Sequence, residues 1–272
     1  MDYLFLLAPL AIVLVIVVGF FKIFRDIYRH FQGSIRENAK VYLLLGKHYR
    51  EPIEKYFPYY QRLNETEKAR FRHRVALFIR TKKFLARGGL ERVTPEMIAL
   101  ISATAVMLSF GMELIYFRSF ERILIYPTDY YSKINQAYHK GEVNPRLGII
   151  IISWEHFVKG LIDDGDGINL GVHELAHAFH LEDRIISREY DYLHTGLLAY
   201  WTNHARWEME KIASGNDHLF RPYAATNEEE FFAVALENFF ERPAEFRDDL
   251  PQLYNILTRL IRQDPAEGMI LG

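Results

Sequence analysis

Two histidines and a glutamate stand together in the stretch NLGVHELAHAFH, residues 169–180, as His173-Glu174-Leu175-Ala176-His177. On a helix, positions four apart share one face, so the two imidazoles can close on a single metal ion. Zinc is the ion that this pattern suits, with each ring nitrogen about 2.0–2.1 Å from it. Glu174 follows the first histidine and leans toward the same point. A carboxylate there can take a proton from an attacking water and pass it to a leaving amine. The same five letters could also be an ordinary buried helix turn, so the flanks matter. Gly165, Gly167 and Asn169 make a turn-rich entry, and Asn169 is placed to cap the helix. Leu175, Ala176 and Phe179 supply core-facing positions.

A catalytic zinc needs a third protein ligand, with its fourth place left for water. His180 is near but badly spaced. The metzincin pattern calls for Gly at 180 and a ligand histidine at 183, where this chain has His180 and Asp183. A later segment offers carboxylates instead. Thr226-Asn227-Glu228-Glu229 reads as a helix cap with an acidic first turn, and the helix EEEFFAVALENFFERP stops near Pro243. Phe231, Val234, Ala235 and Phe239 form its apolar side. Glu230 is flanked by aromatics, and a carboxylate there is costly to bury unless it meets a positive charge. On chemistry alone Glu230 is modestly favoured over Glu228, Glu229 and Glu237, which otherwise read as a solvated acidic helix start.

Other elements must position these groups. Asn64-Glu65-Thr66-Glu67 has the form of a capping box and opens a helix to about Lys83. Phe71, Val75, Phe78 and Ile79 are its apolar stripe, and its many arginines and lysines are expected to form a solvated face. Gly88-Gly89 breaks the chain, and Thr94-Pro95 opens a second helix to about Phe110, apolar nearly all round and so expected to be buried. Arg122–Tyr126 and Leu147–Trp154 read as strands, with polar loop or short helix over 130–143. The second strand, just before the HELAH helix, is expected to offer a free edge to an extended peptide. Asp163-Asp164-Gly165-Asp166-Gly167 lacks calcium-loop spacing and reads as a turn. The aromatics of residues 35–60 are expected to pack onto the domain.

Tyr3 to Phe21 is uncharged and apolar. Nineteen helical residues span about 28 Å, close to the hydrocarbon thickness of a bilayer. A cleaved signal peptide would want positive charge before the run and a small-residue cleavage site after it, and neither is present. A retained anchor is therefore expected over residues 1–32, followed by one domain over 33–272. Lys22, Arg25 and Arg29 follow the run, which places the rest of the chain in the cytoplasm. The 272 residues carry a net charge of −2 and no basic block, so a charged nucleic-acid surface has no support. The chain has no cysteine, which excludes disulfides, thiolate ligands and a thiol nucleophile.

The stretches ILIYP (123–127), SWEHFVKG (153–160), DGDGINLGVHELAH (164–177) and YAATNEEEFFAVALENFFERPAEF (223–246) together resemble the Mlc titration factor A family of zinc metallopeptidases, as do FRHRVALFIRTKKF (71–84) and GGLERVTPEM (88–97). The likeness covers roughly residues 35–250. It implies an α+β fold, mostly helical and zincin-like, with a small sheet beside the HELAH helix and a core similar to that of anthrax lethal factor. It implies one zinc per chain on His173, His177 and Glu230, with Glu174 as general base. Tyr223, seven residues before Glu230, is implied to donate a hydrogen bond to the developing oxyanion. Glu237 fits a role in orienting a ligand histidine. The family usually carries Leu-Asp where this chain has Phe179-His180. The activity implied is hydrolysis of a peptide or protein substrate. The rival is capture of a protein regulator, since the family takes its name from a member that sequesters a transcriptional repressor.

Overall fold

A computed structural model describes residues 45–113, 115, 117–132, 136–163, 165–186, 193 and 195–271. The anchor expected over residues 1–32 and the boundary at 33 lie outside them. Among the described residues no helix is long and apolar enough to cross a membrane.

The fold is α+β and mostly helical. Its helices are α1 (Lys47–Tyr56), α2 (Pro58–Arg62), α3 (Glu65–Thr81), α4 (Pro95–Ser109), α5 (Trp154–Ile162), α6 (Leu170–Ile186), α7 (Thr195–Ala213), α8 (Glu228–Glu241), α9 (Pro243–Asp249) and α10 (Pro251–Ile261). Its main sheet has four strands, β1 (Lys83–Ala86), β2 (Arg122–Tyr126), β5 (Gly141–Asn144) and β6 (Ile149–Ser153). They lie in the order β1-β2-β6-β5. The first three are parallel, and β5 closes one edge antiparallel to β6. A hairpin of β3 (Tyr130–Ser132) and β4 (Ala137–His139) sits between β2 and β5 in the chain, and β7 (Gln263–Asp264) pairs with β8 (Met269–Ile270) near the C-terminus.

Local chemistry explains the element boundaries. The capping box at Asn64 is formed in both directions: Glu67 N–H donates to Asn64 Oδ1 at 2.9 Å, and Asn64 N–H donates to Glu67 Oε2 at 3.0 Å. Thr94 caps α4 with Pro95 at its first position, and α4 is buried along nearly its whole length. Phe71, Val75 and Phe78 of α3 face the same core, with Phe57 and Tyr60 from the aromatic stretch before it. Within this core α6 touches β5, β6, α4, α5 and α8.

The structure departs from the sequence reading in three places. Where polar loop or short helix was expected over 130–143, the described residues hold the strands β3, β4 and most of β5; Tyr130 stacks on Tyr126 and its hydroxyl donates to Glu142 Oε2 at 2.8 Å. This adds β5 outside β6, so β6 has no free edge: its registers with β2 and β5 are both filled, and the open edge belongs to β5. The basic residues of α3 and just beyond it are a solvated face only in part: Arg80 and Lys83 are exposed, whereas others turn inward. Arg74 donates to the carbonyls of Ser109, Phe110 and Met112, closing the end of α4, and Arg70 lies over the Phe110 ring. Lys82 is buried with its ammonium donating to Phe117 O at 2.7 Å, and burial pulls it down to about 8. The short strand β1 was also not anticipated, since Lys83–Ala86 is four residues with little apolar alternation.

Candidate metal centre

The helix that carries the histidines begins at a hub. Asn169 Oδ1 accepts from the Val172 N–H at 3.0 Å, the cap expected from sequence. Its own N–H donates to Glu237 Oε2 at 2.6 Å, and its Nδ2 donates to Gly160 O and to Glu241 Oε1, both at 2.9 Å. The helix start is thereby tied to α5 and α8 at once. A Cβ at Gly160 would meet Asn169 Cα at 2.9 Å, so this junction requires glycine.

From that start His173 and His177 fall on one face of α6, one turn apart. Asn227 caps α8 through the Glu230 N–H at 2.8 Å, which sets the first turn of α8 against them. Three atoms converge. His173 Nε2 and His177 Nε2 are 3.1 Å apart, and Glu230 Oε2 lies 3.0 Å from the first and 3.3 Å from the second. Ligands about 2.0–2.1 Å from a tetrahedral zinc lie about 3.3 Å from one another, so the triangle has the right size.

Its chemistry also fits a cation. Glu237 is fully buried and its Oε1 lies 2.8 Å from His173 Nδ1. An ionised carboxylate only accepts, so Nδ1 carries a proton and Nε2 is the nitrogen left to face a positive charge, a proton or a metal. Glu230 Oε2 is itself a buried acceptor with no hydrogen-bond donor among the described residues. Electron pairs facing each other at 3 Å are repulsive until a positive charge joins them. The electrostatics agree. Burial lowers the affinity of His173 for a proton, yet the carboxylates of Glu230 and Glu237 outweigh it and push the group up to about 10. Burial would raise Glu230, but the two histidines hold it well below the usual carboxylate range. His173, His177 and Glu230 are the one group of three among the described residues whose ligand atoms could share an ion.

Glu174 is not part of the triangle. It is buried in the wall of the cleft, and burial pushes it up to about 7, with the histidines lowering it and the glutamates adding to the rise. Its carboxylate packs on Gly141 of β5, where a Cβ would stand 2.4 Å from it. Two adjoining hollows of about 480 and 430 Å³ meet over this point, and His139, Gly141, His173, Glu174 and Tyr223 line both.

Tyr223 sits in the 3₁₀ turn Pro222–Ala225, 49 % exposed, its ring centroid 6.0 Å from that of His173. Burial and the Glu230 charge push its phenol up to about 12. The structure thus brings Tyr223, Glu230 and Glu237 to the HELAH face. Glu228 and Glu229 point elsewhere, to Arg206 and Arg184. His180 faces the Phe232 ring, outside the triangle.

One residue was missed from sequence. Arg221 donates to Glu237 Oε1 at 2.7 Å and Oε2 at 3.2 Å, and to Gly167 O at 2.8 Å. No motif spacing marks it; only its position two residues before Tyr223 is suggestive.

A HExxH helix, a glutamate from a second helix, and a small mixed sheet whose antiparallel edge borders the cleft define a metallopeptidase-like protein with a site able to hold a metal. The chain belongs to the glucose-regulated metallo-peptidase M90 family, whose model matches residues 35–262. It is 26% identical to an uncharacterized protein of Synechocystis over 278 aligned residues, 94% of this chain and 98% of that protein. It is 28% identical to Mlc titration factor A of Yersinia pestis over 222 residues, 75% of this chain and 80% of that protein, and the same figures hold for the Yersinia pseudotuberculosis protein.

Proposed function

We propose that this protein is a zinc-dependent peptidase, held at the membrane by its N-terminal apolar run with the rest of the chain facing the cytoplasm. The observation that carries the catalytic part is Glu174. A metal site that served structure alone has no need of a buried carboxylate beside it, outside the ligand triangle and raised by burial to about 7.

His173, His177 and Glu230 would hold the zinc. When bound there, the ion polarises a carbonyl and brings the acidity of water to a pKa of about 7. The chain's own groups do the rest. An extended peptide lies along the free edge of β5, held by main-chain hydrogen bonds. Glu174 takes a proton from the attacking water and returns it to the leaving amine; a pKa of about 7 suits both transfers at neutral pH. Tyr223 keeps its proton at that pH and so can donate to the oxyanion. Glu237 fixes the tautomer and orientation of His173.

The membrane part rests on the uncharged run from Tyr3 to Phe21 and on Lys22, Arg25 and Arg29 beyond it. A second reading draws on the relatives named Mlc titration factor A: capture of a protein partner such as a transcriptional repressor. The two readings part at Glu174, which capture does not need. The test incubates the chain from residue 33 onward, loaded with zinc, with a diverse peptide mixture read by mass spectrometry, beside Glu174→Gln. Cleavage by the parent, with a loss of about 10²–10⁴-fold in the variant and zinc retained in both, is the expected result. Equal cleavage by both proteins, or none by a zinc-loaded parent, would refute the peptidase reading.

A further inference from the structure

Glu237 is a carboxylate with no exposed surface and four donors. Oε1 accepts from His173 Nδ1 at 2.8 Å and Arg221 Nη2 at 2.7 Å; Oε2 accepts from the Asn169 N–H at 2.6 Å and Arg221 Nη1 at 3.2 Å. A carboxylate has about four lone-pair sites, so every one is used and none is left for a proton. It is therefore a buried anion, and such a charge is tolerated only with a counter-charge. Two of the four donors could not supply it: one is a backbone amide, and the other, the histidine, must be neutral to offer Nε2 to a metal. The guanidinium of Arg221 is the counter-ion, and it fills half of the carboxylate's sites through a two-pronged grip.

Arg221 reaches further. The same Nη1 donates to Gly167 O, in the turn that leads into α6. Its guanidinium carbon lies 5.8 Å from the centre of the Tyr223 ring, two residues along the chain. One side chain thus touches the entry to the HELAH helix, the carboxylate behind the first histidine, and the tyrosine at the cleft.

We propose that Arg221 is a positioning residue for the metal centre. It holds Glu237 against His173 Nδ1, so that His173 Nε2 points at the ion, and it braces Tyr223 over the cleft. The proposal rests on the metal-site reading above. Loss of the grip removes both a counter-charge and the restraint on carboxylate rotation, so the effect should appear in metal affinity even where hydrolysis is not measured.

The experiment measures zinc affinity of the full-length protein by competition with a fluorescent chelator, for the parent, Arg221→Met, Arg221→Lys, Glu237→Gln and the Arg221→Met/Glu237→Gln pair, with circular dichroism as the check on folding. Supporting groups of this kind are typically worth 10–100-fold in metal affinity, and that loss is expected for Arg221→Met. Arg221→Lys, which keeps the charge but not the fork, should lose less, and it decides the matter if Arg221→Met fails to fold. Because the arginine acts through Glu237, the double variant should be no weaker than the weaker single one. An affinity within twofold of the parent for a folded Arg221→Met, or losses that multiply fully in the double variant, would overturn the proposal. A parent that binds no zinc at all would overturn it together with the metal-site reading.

Discussion

At the scale of the residue, the site is a set of carboxylates whose surroundings drive them apart. Glu230 is held low by two histidines, Glu174 is lifted to about 7 by burial, and Glu237 accepts four hydrogen bonds, two of them from Arg221. The same side chain thus serves as candidate ligand, orienter and base. Tyr223 is the group whose role a single atom can test. We expect Tyr223→Phe to keep zinc but to lose about 10²–10³ in kcat, the usual loss for one oxyanion donor, with little change in KM. An unchanged kcat would remove the hydroxyl from the chemistry. Glu241, one turn beyond Glu237, behaves oppositely to Glu230: burial pushes it from its ordinary 4.5 up to about 7, against the hydrogen bond from Asn169. Between those two values the folded protein holds a proton that the unfolded chain has lost, so this group's contribution to stability falls as pH rises from about 4.5 to about 7. Glu241→Gln, which mimics the protonated form, should match the parent near pH 4.5 and become more stable than it by pH 8. Denaturant melts at both pH values decide it, and a pH-independent difference would contradict the assignment.

At the scale of the element, the edge strand and the HELAH helix are adjusted to each other. β5 comes so close to α6 that only glycine fits at 141: any Cβ would overlap the Glu174 carboxylate. Gly141→Ala should therefore impair hydrolysis while leaving zinc affinity within a few-fold, because the triangle of His173, His177 and Glu230 does not touch that position. Equal damage to both would mean that the strand supports the metal rather than the base. The α3–α4 pair is another such fit. Arg74 closes three carbonyls at the end of α4, and its replacement by Met should cost on the order of 2–3 kcal/mol in a denaturant melt, as for a charged hydrogen-bond donor withdrawn from buried acceptors. A cost below about 0.5 kcal/mol would return it to the ordinary surface class.

At the scale of the whole molecule, one ion would join α6 to α8 more tightly than the packing, the His173–Glu237 hydrogen bond and the Arg184–Glu229 ion pair already do. Metal then adds to folding stability by mass action. Zinc at a hundred times its dissociation constant contributes about 2.7 kcal/mol, or roughly 5–11 °C in Tm for a chain of this size. Thermal scans with and without a chelator should show that difference and recover it on re-addition of zinc; coincident scans would show that the site does not hold the ion in the folded protein. The proposed anchor belongs to this scale as well. With residues 1–32 present the protein should stay in membranes through alkaline carbonate washing, and without them it should leave. A soluble full-length protein would refute the anchor and leave the metal centre untouched.

Much of the site was legible in the letters because helices translate spacing into geometry. The i, i+4 rule puts His173 and His177 on one face, and Asn64, Thr94, Asn169 and Asn227 announce helix starts by their own hydrogen-bonding chemistry. Those are local facts, and a sequence states local facts well. Glu230 was favoured among four acidic residues but not separated from them, because burial beside a partner helix is not local. The same reason hid β1 and β5: short strands draw their stability from neighbours across the sheet, and Tyr130 of β3 meets Tyr126 of β2 and Glu142 of β5 only in the folded chain. It also hid the cap made by Arg74 of α3, which looks solvated until α4 arrives, and Arg221, which carries no pattern at all. The sequence by itself determined the histidines, the carboxylate proposed as base and the helices that present them. Only the tertiary structure decided which carboxylate completes the triangle, which strand lies open to the cleft and which arginine balances the buried charge, since each depends on groups that are distant in the chain and meet only when the core closes.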